Sequence, residues 1–199
     1  MTEALTRDMI LPPYLDDYMV GPITPWSLNS IGLEMACCAA LAPVSNAWPT
    51  AAKAIYVPFS TAEPITAVKM FWMNGGTAAG TIDVGIYDSD GAGGVPGAKI
   101  VASANPSQGT ISVEQEVDIT DTALRPNHLY YLAMSCSSGS ATVVSSTGAV
   151  SGLNAPILQA FGCFTQVTAN PLPATATPVS DAAWTFMPVF GISRKTMVV

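Results

Sequence analysis

The stretch TIDVGIYDSDGAGGVPGAKI, residues 81–100, decides the fold class of this chain. In its first half, aliphatic side chains alternate with residues of other types, as expected for a β-strand with two distinct faces. One face carries Ile82, Val84 and Ile86, and the other carries Asp83, Gly85 and Tyr87. Its second half is rich in Asp and Gly, which suit turns. The stretch therefore predicts a strand, a wide hairpin loop and the next strand.

Short extended segments of this kind recur from residue 53 onward. They lie at 53–60, 65–73, 81–88, 99–104, 113–119, 128–136, 141–146, 156–164 and 182–193. Eight or nine short strands at this spacing predict an all-β domain, a jelly-roll-like antiparallel β-sandwich over residues 53–199. The loop 168–181 is rich in Pro, Thr and Ala, and its length favours a contact element over a simple connector.

Residues 1–30 are predicted to form an extended N-terminal arm. Four prolines in LPPYLDDYMVGPITPW disfavour helix, and the apolar side chains follow neither a helical nor a strand period. The segment is too apolar for a solvated tail, so we expect it to lie on a partner or across its own domain. The expected partner-binding residues are Leu11, Tyr14, Leu15, Tyr18, Met19, Ile23 and Trp26.

Residues 31–52 are interpreted as a helix or an irregular connector between the arm and the β domain. The overlapping stretch SLNSIGLEMACCAALAP, residues 27–43, is the best helix candidate of the chain. Ser27 or Asn29 would cap the helix and Pro43 would end it. The same stretch fits a strand that precedes the sandwich, so both alternatives stand.

The composition favours a role in assembly, with a secreted or adhesive domain as the alternative. Charged residues make up 11% of the chain, against about 25% in ordinary soluble domains. The surface must therefore be built largely from Ala, Ser, Thr, Gly and Pro, which suits a protein packed against copies of itself or other partners. A net charge of −7 with only seven basic residues disfavours nucleic-acid binding. No apolar run reaches the ~18 residues of a membrane span.

The N-terminus and the cysteines favour a cytoplasmic origin. MTEALTRDMILPPYLDDY has no uninterrupted apolar core, so no signal peptide is expected. The spacing of Cys37, Cys38, Cys136 and Cys163 is poor for a disulfide framework, although a Cys136–Cys163 bond is geometrically feasible. Free, buried thiols are the favoured interpretation. A zinc site is disfavoured because the chain has one histidine.

The loop that follows residue 87 matches the sequence motifs of known ligand-binding loops poorly. Asp88 and Asp90 occupy the first two ligand positions of an EF-hand loop, but the residues at the remaining ligand positions do not match that motif. A different cation site on these two carboxylates stays a weak alternative to an Asp- and Gly-rich turn. A nucleotide loop is excluded because Pro96 replaces the last glycine of the dinucleotide motif and the chain continues into a strand. No cofactor is expected.

No catalytic constellation emerges from the remaining residues. Glu114, Glu116 and Asp118 share one face of a strand, where a solvated outer face explains them best. The chain has no G-x-S-x-G motif, the turn that presents a nucleophilic serine to a histidine. His128 is therefore interpreted as a strand-edge side chain. The tryptophans and tyrosines fit a core or an interface better than a sugar-stacking platform. The chain is therefore predicted not to be an enzyme.

Several segments together resemble a module of bacteriophage virion proteins. The resemblance covers about residues 53–193 and rests on YVPF, ITAVKMFWM, VGIYDSDG, GGVPG, VDITDTALRPNHLYYLAMSC and VFGI. The same segments are similar to jelly-roll accessory domains of bacterial surface proteins. The resemblance implies a jelly-roll component of a virion surface or tail, and it implies no catalytic residues.

Two functions follow as hypotheses. The first is a virion structural protein, a capsid-decorating, fibre or tail component that is assembled in the host bacterial cytoplasm. Its partners would be other virion proteins and copies of itself, and trimers are common among such oligomers. The second is a carbohydrate-binding module of a fibre, spike or cell-surface protein, with a host surface glycan as its partner.

Overall fold

The structure is a computed structural model that describes residues 33–36, 43–147, 162–180 and 186–193. These residues form twelve strands and no helix, so the all-β prediction is confirmed for them. The strands are β1 (Leu33–Ala36), β2 (Pro43–Ala47), β3 (Ala54–Phe59), β4 (Ile65–Met73), β5 (Ile82–Asp88), β6 (Lys99–Ala102), β7 (Glu114–Leu124), β8 (Tyr130–Cys136), β9 (Thr142–Thr147), β10 (Phe164–Gln166), β11 (Phe186–Pro188) and β12 (Phe190–Ser193).

The strands form three antiparallel sheets. A four-stranded sheet has the order β1-β12-β4-β7, and a five-stranded sheet has the order β10-β3-β8-β5-β6. A three-stranded sheet has the order β11-β9-β2. One hydrophobic cluster contains side chains from all three sheets, so the fold is β-sandwich-like.

Most of the predicted strands agree closely with those of the structure. The predicted strand 156–164 lies mostly outside the described residues, and β10 covers Phe164–Gln166. The predicted strand 182–193 contains two strands, β11 and β12, which belong to different sheets.

β7 continues to Leu124, beyond residue 119 where the predicted strand ends, and Ile119, Thr122 and Leu124 are buried along it. The register of the two strands β4 and β7 shifts between Ala67 and Lys69, where residues 119–121 of β7 lie opposite one residue of β4, and pairing then continues to Leu124. Residues 31–52, interpreted as a helix or an irregular connector, contain the two strands β1 and β2. The arm, residues 1–30, lies outside the described residues.

The main core lies between the four- and five-stranded sheets. Ile82, Val84 and Ile86 enter it from β5, as the alternation predicted, and Met70 and Trp72 enter it from β4. All five side chains are almost completely buried, and burial of a large apolar side chain contributes about 1.5–3 kcal/mol. The three aliphatic side chains of β5 that the alternation identified therefore all belong to the main core.

The opposite face of the five-stranded sheet is also covered. Residues 168–180, called the strap below, lie across it. A second hydrophobic cluster joins strap and sheet and consists of Ala54, Tyr56, Tyr87, Tyr131, Ala133, Ala169, Leu172 and Ala176. The loop predicted to be a contact element thus makes its contacts within its own domain.

A buried amide network closes one end of the sandwich. The fully buried Asn74 accepts a hydrogen bond from Trp72 Nε1 and donates two, to the carbonyl oxygens of Gln108 and Thr110. The Gln108 side chain in turn donates to the carbonyl oxygen of Thr142. The network ties β4 to the loop before β7 and to β9.

Candidate functional site

The loop between β5 and β6 is the candidate ligand loop of the sequence. At its start, Asp88 Oδ1 accepts the Ser89 N–H at 2.7 Å and lies 2.7 Å from Nε2 of His128. Asp90 Oδ1 accepts the Ala98 N–H at 2.7 Å on the far side of the loop. Both carboxylates therefore hold the turn together, which supports the interpretation of these residues as turn formers.

Glycine is required at the tip of this loop. Gly93 and Gly94 have φ values of 83° and 80°, a backbone conformation that other residues rarely adopt. The carbonyl oxygen of Gly94 accepts the hydroxyl of Tyr131 at 2.8 Å. The loop is therefore anchored to β8, and its backbone conformation depends on the two glycines with positive φ.

A cation site at Asp88 and Asp90 gains no third ligand. Among the described residues, no group of three or more His, Cys, Asp or Glu side chains is placed to hold a metal ion. One oxygen of each carboxylate is already engaged: Asp88 Oδ1 by Ser89 and His128, and Asp90 Oδ1 by Ala98. This loop is best described as a structural connection.

The electrostatics of Asp88 reflect its partners. Partial burial acts to raise the pKa of this carboxyl, but the hydrogen bonds from His128 and Ser89 and the nearby charge of Arg125 outweigh it. The pKa of Asp88 therefore lies below its usual value. The ring of His128 also stacks edge-on against Tyr130, with 4.5 Å between the ring centres.

Acid is expected to weaken the fold through Asp88. A folded-state pKa below the unfolded value gives a stabilisation that is present above about pH 4 and is lost as the pH falls through the folded value. Thermal unfolding of the wild type and of Asp88→Asn, followed from pH 7 to pH 3, measures this. The variant should lose less stability on acidification. Equal losses below pH 4 would contradict the assignment.

The acidic face of β7 is partly neutralised. Lys69 Nζ lies 3.4 Å from Glu116 and 3.0 Å from Asp118, across the β4–β7 pairing. These contacts raise the pKa of Lys69, the hydrogen bond to Asp118 most of all. The predicted shared face of the carboxylates is therefore present, and it meets a lysine of the same sheet.

Asp83 is the polar residue that sequence reasoning missed. Its carboxylate is 2% exposed, accepts the Ser103 hydroxyl at 2.6 Å, and accepts the Leu172 N–H of the strap at 2.9 Å. Lys99 Nζ donates to the Leu172 carbonyl oxygen at 2.7 Å. The strap is thus bound through its main chain by side chains of β5 and β6.

Two tyrosines complete the contact with the strap. The Tyr87 hydroxyl donates to the carbonyl oxygen of Pro173 in the strap. The Tyr56 hydroxyl donates to Gln166 Oε1 of β10, which also accepts the Thr177 N–H of the strap. Burial raises the pKa of both tyrosines, so both hydroxyls stay protonated and able to donate. The signal in the sequence was a second face of β5 that carries Gly85 and Tyr87, next to a long loop rich in proline.

The aromatic rings serve the core. Trp48, Trp72, Tyr56, Tyr87, Tyr130 and Tyr131 are all almost completely buried. The large hydrophobic side chains exposed among the described residues are the aliphatic Val44, Ile100, Ile111, Val113, Val167 and Val179. The two remaining tryptophans, Trp26 and Trp184, lie outside the described residues. The core interpretation is confirmed for the six buried rings.

The described thiols are poor nucleophiles. Cys136 and Cys163 are free and buried, as predicted, and burial raises the pKa of both thiols, that of Cys163 to about 12. A thiolate is therefore scarce at neutral pH. Cys37 and Cys38, and all seven predicted partner-binding residues of the arm, lie outside the described residues.

The comparisons with known proteins give no relative. No protein-family model, no curated protein and no solved structure matches the chain. In the part of the chain that the structure describes, no helix is long and apolar enough to cross a membrane.

Proposed function

We propose that this protein is a non-enzymatic structural protein of a bacteriophage virion, a capsid-decorating or other virion-surface subunit. It binds copies of itself and other virion proteins through its N-terminal arm and its uncharged surface. Its place is the virion, after assembly in the host bacterial cytoplasm. The sequence resemblance to virion modules motivates this proposal, and one observation of topology carries it.

That observation is the strand order. We set aside β2, β9, β10 and β11 and number the other eight strands along the chain. They then stand as 1-8-3-6 in the four-stranded sheet and as 2-7-4-5 in the five-stranded sheet. A double Greek-key jelly roll, an architecture found in viral capsid proteins and lectins, is expected to have this order. The order supports a jelly roll and, with it, a capsid or sugar-binding role.

The polar groups of the described residues support a structural role over an enzymatic one. Asp83, Asn74 and Gln108 are buried and direct their hydrogen bonds to main-chain and side-chain groups of the fold. His128 Nε2 lies 2.7 Å from Asp88 Oδ1 at the start of the β5–β6 loop, and the His128 ring packs against Tyr130. Catalysis needs groups aimed at a reacting atom, whereas these groups are aimed at the protein's own structure.

The burial of the aromatic rings favours the virion hypothesis over the carbohydrate-binding module. A sugar platform needs rings that present a face to solvent, whereas Trp48 and Trp72 are almost completely buried and donate their indole N–H groups to internal acceptors. The exposed large side chains of the described part are aliphatic. Such side chains suit contacts between subunits.

The proposal is tested on particles purified from a host that carries the gene. Mass spectrometry of those particles should find the chain at a fixed ratio to the major capsid protein, and a cryo-EM map should place it on the surface. A chain that lacks residues 1–26 should no longer be incorporated, whereas Asp121→Ala, an exposed change on β7, should be incorporated normally. Absence of the full-length chain from particles would refute the assignment.

A further inference from the structure

Asn74 and Gly75 form the one Asn-Gly sequence of the chain, and the hydrogen bonds of the fold call for the asparagine. Oδ1 of Asn74 accepts the indole N–H of Trp72 at 2.8 Å. Its Nδ2 donates to the carbonyl oxygens of Gln108 and Thr110, at 2.7 and 2.6 Å. A side-chain amide combines an acceptor with two donors, a combination that a carboxylate or a hydroxyl lacks. Position 74 is therefore occupied by the residue type that its three partners require.

Position 75 has no room for a side chain. A Cβ atom there would lie 2.8 Å from Cβ of Thr142 and would also collide with the hydroxyls of Thr142 and Ser45. Ser45 Oγ is held in place by the Gly76 N–H, which it accepts at 2.9 Å. Thr142 Oγ1 is held in the same way by the Thr77 N–H, at 2.7 Å. The network at position 74 and the close approach at position 75 together impose an Asn-Gly pair on this fold.

An Asn-Gly pair is reactive because glycine has no side chain to hinder the attack of its nitrogen on the asparagine side chain. The main-chain nitrogen of Gly75 loses its proton and bonds to Cγ of Asn74. The bond from Cγ to Nδ2 breaks, and the departing group takes up that proton and leaves as ammonia. Water then opens the succinimide ring, at Cγ to give aspartate or at the main-chain carbonyl carbon to give isoaspartate. The net reaction consumes one water molecule and releases one ammonia molecule.

The closed fold opposes this reaction at each reacting atom. The Gly75 N–H is donated to the carbonyl oxygen of Thr142 at 2.9 Å, so its nitrogen keeps its proton. The Asn74 amide is held at both ends by its three hydrogen bonds, so Cγ does not turn toward that nitrogen. The N–H of Asn74 donates to the carbonyl oxygen of Val113 at 3.0 Å, which fixes the main chain as well. The attack therefore requires the end of β4 to separate from the loop before β7 and from β9.

We propose that Asn74 is a deamidation site that the closed fold protects and that reacts with water when this end of the sandwich opens. The modification acts in one direction. Aspartate has no N–H for the carbonyl oxygens of Gln108 and Thr110, and it adds a charge to the network. Isoaspartate adds a methylene group to the main chain and moves the Gly75 N–H away from Thr142. A modified chain cannot rebuild the network, so the site distinguishes chains that stay closed from chains that have opened, whether or not the virion assignment holds.

The full-length protein tests the site without a substitution. Trypsin releases residues 70–99 as one peptide in which Asn74 is the sole asparagine or glutamine, so deamidation in this peptide is assigned to Asn74. Folded protein and protein unfolded in urea are incubated at pH 8, digested at pH 6 and analysed by mass spectrometry. The unfolded chain should react at least about 100-fold faster, because the folded chain reacts only through its open fraction. Similar rates in the two states, or no reaction in urea, would overturn the proposal.

Refolding tests the one-way consequence. Chains that are half deamidated in urea are diluted into buffer, and the folded fraction is separated by size-exclusion chromatography. Modified Asn74 should be several-fold less abundant in the folded fraction than in the fraction that does not refold. Equal abundance in the two fractions would show that the modified chain closes normally, and the one-way role of the site would be wrong.

A matched pair of variants tests whether the closure around Asn74 sets the rate. Gln108→Ala removes the side-chain hydrogen bonds to Ala79 and Thr142 but keeps the main-chain carbonyl oxygen that Asn74 uses. It should raise the rate in the folded protein about tenfold and leave the rate in urea unchanged. Asp121→Ala, an exposed change on β7, should leave both rates as in the wild type. An unchanged rate in folded Gln108→Ala would contradict protection by this network.

Discussion

Replacing Asp83 with alanine is expected to lower the free energy of unfolding by about 2–5 kcal/mol. The carboxylate is the acceptor for two buried donors, the Ser103 hydroxyl and the Leu172 N–H. Loss of the acceptor leaves both donors unsatisfied in a site that is 2% exposed, and each unsatisfied donor costs about 1–3 kcal/mol. Urea unfolding of wild type and variant measures the difference.

The effect should be concentrated at the strap. Amide exchange at Leu172 and at Ala176, another buried contact of the strap, should become faster in Asp83→Ala than exchange at the centre of β8. Asp83→Asn keeps one acceptor oxygen and should lose less stability than the alanine variant. Asp121→Ala, an exposed change on β7, should stay within about 0.5 kcal/mol of wild type. A loss of this small size for Asp83→Ala would contradict the buried role of the carboxylate.

Substitution of Asn74 by alanine is the second change with a large expected effect, again about 2–5 kcal/mol. Three buried groups depend on this side chain: the Trp72 indole N–H and the carbonyl oxygens of Gln108 and Thr110. A methyl group replaces none of these hydrogen bonds and leaves a cavity. Unfolding by urea, together with tryptophan emission, reports the loss of stability and the changed environment of Trp72.

Asn74→Asp is the sharper variant because it preserves the shape of the side chain. Its oxygens still accept from Trp72, but it has no N–H to donate to the two carbonyl oxygens, and it places a charge in a fully buried site. It should destabilise the protein at least as much as alanine does. Asn46→Ala, a change at a half-buried residue of the otherwise exposed strand β2, should cost less. An unchanged free energy of unfolding in Asn74→Asp would show that the donated hydrogen bonds matter little.

Local sequence pattern predicted most of the strands because the pattern and the structure share one cause. Side chains on a strand alternate between its faces, so β5 was recognised from Ile82, Val84 and Ile86. The loop that follows needed Asp and Gly for its own backbone, and its role as a turn could also be inferred locally. The two strands in residues 31–52 were less predictable, because their pairing depends on β12 and β9, far along the chain.

The second face of β5 was beyond local reasoning. Asp83 in an alternating strand reads as a solvent-facing residue, yet it is buried under the strap, which follows it by about ninety residues in sequence. The partner that satisfies its carboxylate, the Leu172 N–H, is identifiable only once the chain has folded. The same holds for Asn74, whose partners come from the loop before β7.

The sequence by itself determined that the chain is β-rich and low in charge, because composition and alternation are local properties. The tertiary structure alone decided the order of strands in the sheets, the side of the sandwich that the strap covers, and the burial of Asp83. These features depend on contacts between residues far apart in sequence. The alternation of residues along a strand indicates which face of the sheet each side chain occupies. Only the tertiary structure determines which segment, if any, packs against that face.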